Sequence, residues 1–125
     1  MRYMMIVKHK ENQGPPPKSL MEAIGKLSEQ ESKSGKLLGN GGLKSTDLGA
    51  RVRLAGGKVS VLDGPFTEAK EIIGGFATFE FNSKKDAIDA AVAFMELHRQ
   101  HWPGWEGETE VRQMYGPGEF PATSK

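Results

Sequence analysis

The segment Tyr3-Met4-Met5-Ile6-Val7, close to the start of the chain, is apolar at every position. In an extended strand successive side chains point to opposite faces, so Tyr3, Met5 and Val7 share one face and Met4 and Ile6 the other. A strand apolar on both faces reads as a central strand, covered on both sides. This requirement limits the fold more than any other feature: whatever packs on one face, something else has to cover the second. The chain has 125 residues, enough for one domain with a single core and too few for two.

After this strand, Gly14-Pro15-Pro16-Pro17 forces a loop, since proline removes amide donors and disfavours helical geometry just upstream. Ser19-Leu20-Met21-Glu22 has the form of a capping box, with Ser19 capping a first helix and Glu22 reaching back to the Ser19 amide. Leu20, Ile24 and Leu27 follow at helical spacing, and Gly35 suits the left-handed position that ends a helix. Leu37-Leu38 opens a second strand that runs into Gly39-Asn40-Gly41-Gly42-Leu43. The following Lys44-Ser45 invites comparison with a phosphate-binding loop, but Leu43 occupies the slot that such a loop reserves for glycine, and Thr46-Asp47-Leu48-Gly49 reads as a turn instead of a helix. A glycine-rich strand approached closely by another backbone or a ligand is the reading kept.

Arg51 to Leu54 and Lys58 to Leu62 alternate around Gly56-Gly57 and predict a hairpin. Phe76 to Phe81 forms a further strand. Ser83 caps a second helix, with Ala87, Ile88, Ala91, Val92, Phe94 and Met95 on its buried side and an end near Arg99, ahead of Pro103. Thr109 and Val111 alternate with Glu110 and Arg112 in a last strand. The order is strand, helix, strand, hairpin, strand, helix, strand. It predicts an α+β fold, a ferredoxin-like split βαβ sandwich with an inserted β-hairpin, both helices on one face of an antiparallel sheet. Residues 1–116 form the single domain and 117–125 a tail. The second face of the sheet still carries apolar residues, and a neighbour's sheet is the economical cover, so a homodimer with a cavity between two sheets is expected.

Composition excludes several functions. Seventeen basic and sixteen acidic residues leave a formal charge of +1, with no basic block of the kind that grips phosphates, so direct nucleic-acid binding is not expected. The absence of cysteine removes thiolate nucleophiles and cysteine-based zinc sites and fits a reducing compartment. The apolar start ends at Lys8-His9-Lys10, too early for a signal-peptide core, and no run reaches the length of a membrane helix. A cytoplasmic protein without membrane contact is the expectation.

Asp63-Gly64-Pro65-Phe66, then Glu68-Ala69-Lys70-Glu71 and Gly74-Gly75-Phe76, resemble the signature of the DGPF branch of the YCII-related proteins. Gly49-Ala50-Arg51-Val52, Glu110-Val111-Arg112 and the methionine-rich first strand resemble that branch too, and the likeness spans nearly the whole chain. It implies a ferredoxin-like domain that pairs into a dimeric α+β barrel, without an established reaction. It also implies a regulatory alternative, because some members are encoded beside, or fused to, extracytoplasmic-function sigma factors. Relatives in the founding branch carry a His–Asp pair from the first helix and its end, proposed as catalytic. Ile24 and Lys33 stand at those positions here, so that role does not transfer.

The candidate site residues are Asp63, Lys70, Glu71, Glu110 and Arg112. Asp63 is either a turn-former that bonds amides two or three residues on, with Phe66 anchoring the loop in the core, or an acid/base at a cavity mouth. Lys70 and Glu71 form either a salt-linked brace or a clamp for a small anionic ligand. If Val111 faces the helices, Glu110 and Arg112 both face the dimer side, where arginine suits carboxylate binding or an ion pair. His98 and His101 have a metal-compatible spacing but no third ligand by spacing, and they read as solvent-exposed histidines at a helix end. No metal or cofactor is expected. Trp102 and Trp105 read as loop anchors at a dimer interface or as a stacking surface, and His9 has no assigned role. A binding module, an acid/base enzyme and a regulatory partner all remain open.

Overall fold

The computed structural model describes residues 1–66 and 71–121. Its elements are β1 (Arg2–His9), α1 (Lys18–Lys33), β2 (Leu37–Gly42), a 3-10 turn at Thr46–Leu48, β3 (Ala50–Ala55), β4 (Lys58–Asp63), β5 (Ile72–Glu80), α2 (Lys84–His101) and β6 (Gly107–Gln113). Four strands form a sheet in the order β2-β5-β1-β6, every neighbouring pair antiparallel, and β3 and β4 form a separate two-stranded hairpin. This is the predicted ferredoxin-like α+β arrangement with its inserted hairpin, and β1 is central.

The two faces of β1 differ. Tyr3 and Met5 are buried and join Phe79, Phe81, Ala87 and Ala91 in the core, with Leu37, Ala77 and Val111 packed around them. Met4 and Ile6 are only half-buried. They share the opposite face with their register partners Thr78, Phe76, Glu110 and Arg112. Within the described residues no second layer covers that face.

α1 begins two residues earlier than its sequence signals suggest. Pro17, not Ser19, is the N-cap, and no side-chain cap bond forms, so the capping box is not made. Pro17 has a fixed extended backbone (φ −60°, ψ 146°) that turns its carbonyl toward the first turn, where the amides of Leu20 and Met21 donate to it. The C-terminus ends as predicted. Gly35 is left-handed (φ 78°), and the Lys36 amide donates to the Glu31 carbonyl at 3.1 Å, closing a Schellman-type turn.

In α2 the Ser83 hydroxyl accepts from the Asp86 amide at 3.1 Å, as expected, but the helix continues to His101. Its buried stripe is Ala87, Ala91 and His98. Ile88 and Val92, expected inside, are exposed, because the 87/91/98 stripe turns them to the far side. In the hairpin, Gly56 and Gly57 supply positive φ between the paired Ala55 and Lys58. No helix among the described residues is long and apolar enough to cross a membrane.

Candidate functional site

Between the two helices and the sheet lies a cavity of about 570 Å³, lined by β1 (Met5, Val7, His9), α1 (Leu20, Ile24, Leu27, Glu31), α2 (Phe94, His98), β6 (Thr109) and the indoles of Trp102 and Trp105. Its walls are mostly apolar, and the few polar groups are specific. His98 is buried, 7% exposed, and its Nδ1 lies 2.9 Å from the Phe94 carbonyl one turn back. His9 Nδ1 lies 2.7 Å from the Lys10 carbonyl. A carbonyl can only accept, so in each neutral imidazole the proton sits on Nδ1 and Nε2 is the bare acceptor. Burial, the largest influence, pushes the His98 imidazole below its usual range; the Phe94 carbonyl opposes this, and the charge of His9 adds to it. The expectation of solvent-exposed helix-end histidines is therefore wrong for His98. The stripe 87/91/94/98 carries it inward, while His101, three residues on, is half-buried.

Backbone geometry sets the other ring. β1 and β5 slip register between Val7 and Lys8, leaving Gly74 as the extra residue of a bulge. The His9 ring lies against Gly74, where any side chain would collide with it. Trp105 then packs against both imidazoles, with centroids 6.1 Å from His9 and 4.5 Å from His98, and Trp102 stacks on it at 5.8 Å. Gln13 ties the preceding loop to this corner: its amide oxygen accepts from the Glu106 amide, and its amide nitrogen donates to the carbonyls of Glu106 and Lys10, all at 3.0 Å. The Thr109 hydroxyl is buried with no hydrogen-bond partner among the described residues. Glu31, on α1, has its carboxyl pushed up by burial, with Lys36 opposing.

The residues singled out by sequence occupy other places. Glu110 and Arg112 face the open side of the sheet, as expected once Val111 packs on the core. There the Lys8 ammonium donates to Glu110 at 2.6 Å, and Arg112 Nε lies 3.3 Å from the other Glu110 oxygen. The bond to Glu110 raises the Lys8 amine above its usual range, against some desolvation, with smaller contributions from Glu108 and Glu71, which places Glu71 in the same field. Asp63 is the exposed last residue of β4. Among the described residues the turn is held by other groups: the Phe66 amide donates to the Thr46 hydroxyl at 3.3 Å and the Gly64 amide to the Gly49 carbonyl at 2.9 Å. The backbone at Thr46 comes so close that a side chain at Gly64 would overlap it. Phe66 is half-buried, with the Arg51 guanidinium 4.0 Å above its ring, instead of anchoring in the core. Lys70 lies outside the described residues. No grouping of metal-ligating side chains occurs among the described residues.

Sequence reasoning left His9 unassigned and did not single out Thr109. Both were signalled by parity: His9 shares the face of Tyr3, Met5 and Val7, and Thr109 pairs with Val7.

A model of the YCII-related domain matches residues 1–96, more than half the chain. The chain belongs to the YCII-related family. An uncharacterized protein of Rhizobium meliloti (strain 1021) is 30% identical over 105 residues, covering 82% of this chain and 81% of its own length. Neither match carries a reaction or a ligand.

Proposed function

We propose that this YCII-related domain is a small-molecule-binding module that works as a homodimer, with no assigned reaction, and that two copies meet through their open sheet faces around a polar cavity. The observation that carries the reading is the composition of that face. Met4 and Ile6 are half-buried, Ile73 and Phe76 are 48% and 40% exposed, and beside them runs the Lys8–Glu110–Arg112 ion-pair strip. An apolar sheet surface with a paired charge cluster on it suits burial against a second copy better than solvent. In this arrangement Asp63, Glu71 and Arg112 rim the cavity with Glu110 beside them, and the ligand is a small anion received by Arg112. The DGPF assignment and the absence of direct nucleic-acid contact belong to the same proposal.

Light scattering at micromolar concentration tests it. A dimer is expected for the wild type and a monomer for Ile6→Glu, and a monomeric wild type would sink the shared cavity. A thermal-shift series with small carboxylates and inorganic phosphate should give stabilisation that Arg112→Ala removes.

One observation favours a second reading, that of a regulatory protein partner. Val52, Leu54, Val59 and Val61 lie on one face of the hairpin and are 68% to 73% exposed. A two-stranded ribbon is marginally stable alone, and an apolar face on it is suited to a protein contact. Co-elution of a purified extracytoplasmic-function sigma factor with the wild type, lost in Val59→Asp, would favour this reading over the first.

A further inference from the structure

The open sheet face accounts for none of the polar groups on the helix side. There, two imidazoles each spend their Nδ1 proton on a main-chain carbonyl, leaving two Nε2 acceptors. The Thr109 hydroxyl beside them has no protein partner among the described residues. A buried polar group without a hydrogen bond is costly, so the Thr109 hydroxyl, with two Nε2 acceptors lining the same cavity of about 570 Å³, marks a place where a ligand can supply the missing bonds.

We propose that the cavity between the helices and the sheet is a binding site for an uncharged, planar, largely apolar molecule that carries a hydrogen-bond donor, held by Nε2 of His9 and His98 and by the Thr109 hydroxyl. The planar preference follows from Trp105, which packs against both imidazoles, and from Trp102 stacked on it, giving the corner flat walls. The requirement for a donor follows from the tautomers, because two bare acceptors can only receive. The lack of charge follows from the lining. An ion would lose its hydration in a mostly apolar cavity, and burial already pushes the Glu31 carboxyl in its wall toward the neutral form. The main-chain carbonyls and the Gly74 bulge fix both rings before a ligand arrives, which lowers the ordering cost of binding. This site lies on the opposite side of the sheet from the Lys8–Glu110–Arg112 strip and does not depend on dimerisation.

2-Naphthol and 2-methoxynaphthalene have similar planar apolar bodies, but only the first has a donor. Titration of the full chain with each, followed by nitrogen-15 NMR of the imidazoles and the two indoles, tests the proposal. 2-Naphthol is expected to bind at least tenfold more tightly and to shift Nε2 of His9 and His98. In the His9→Phe, His98→Phe, Thr109→Val triple variant the two ligands should bind equally, and in the His98→Phe, Thr109→Val double variant the preference for 2-naphthol should narrow. Equal affinities in the wild type, shifts confined to residues outside the cavity, or no saturable binding would each overturn the proposal without any variant having to fold. Ile24→Trp fills the cavity from α1, and a variant with an unchanged circular dichroism spectrum that still bound 2-naphthol like the wild type would also overturn it.

Discussion

The two sides of the four-stranded sheet divide charge and need in opposite ways. The open side holds the conspicuous groups, Lys8, Glu110 and Arg112, but these are partnered with one another. The helix side holds few polar atoms, but the buried Thr109 hydroxyl there lacks a protein partner among the described residues, and two imidazoles beside the same cavity have only their Nδ1 atoms engaged by main-chain carbonyls. Exposed ion pairs are screened by water and contribute little, whereas an unmet polar atom in an apolar cavity keeps its full desolvation cost. A dense run of charged residues in a sequence is thus a poor guide to where a fold needs a ligand, and the unmet bonds are a better one.

The largest expected effect is on the helix side. Leu20 is 1% exposed and lines the cavity wall. Leu20→Ala enlarges a space that is already present and should cost about 2–5 kcal/mol in urea unfolding. A loss below 1 kcal/mol would mean that α1 is loosely seated and that the cavity is not a formed site. Next in size is Gly74→Ala, at about 1–2 kcal/mol, because the new methyl displaces the His9 ring. Its more informative result is loss of the ring contact between His9 and Trp105, read from NMR. An unmoved His9 ring would show that the bulge does not position it.

Most of this architecture was legible in the sequence, because it depends on periodicity. The alternation of β1, the diglycine of the hairpin, the Ser83 cap and Gly35 each specify local geometry through their own chemistry. What escaped depends on which of two plausible faces wins. In α2, 87/91/94/98 and 88/92/95 are both apolar stripes, and the first wins because alanines let the helix sit close to Phe79 and Phe81. That choice takes His98 inside and leaves Ile88 and Val92 out. The signature around Asp63 hides its geometry for a related reason. Its glycines matter through backbone proximity, Gly64 to Thr46 and Gly74 to His9, and a sequence shows the glycine without showing what comes near it. The Thr109 hydroxyl was beyond reach, since being unpartnered is a property of the whole packed corner.

Acid titration separates the two sides at smaller amplitude. The folded His98 imidazole binds a proton less readily than the ordinary group at 6.5, so the unfolded chain takes up the proton first. Its contribution to stability is complete above pH 6.5 and is lost progressively as pH falls through the depressed folded value. The groups facing it are His9 on β1, whose charge adds to the effect, and Glu31 on α1, whose carboxyl is raised above 4.5 by burial and acts in the opposite sense. Glu31 is relieved as pH falls through its raised value, so the net slope should be steepest just below pH 6.5 and flatten further down. His98→Phe should remove the steep part in urea midpoints measured from pH 7.5 to 5. A slope that persists in the variant would assign the acid sensitivity elsewhere.

The smallest expected effect is on the open side, and it sharpens the contrast with the cavity. Lys8→Ala removes the bond that holds the Glu110 carboxyl below its usual range, against slight desolvation and with help from the charges of Lys8 and Arg112. In carbon-13 NMR the Glu110 carboxyl should titrate upward toward 4.5, while the melting temperature of the isolated copy changes little, because the pair is open to solvent. The folded carboxyl is depressed, so whatever stability the pair adds is present above 4.5 and lost as pH falls through the lowered value. If two copies close over this face, the same substitution acts on an enclosed pair and leaves Glu110 without its closest cation. The loss should then appear as weaker self-association at neutral pH, measured by sedimentation, and not as a lower melting temperature of the monomer. A marked drop in monomer stability would mean that the strip braces the fold itself, and the division between a self-satisfied open face and an unsatisfied cavity would not hold.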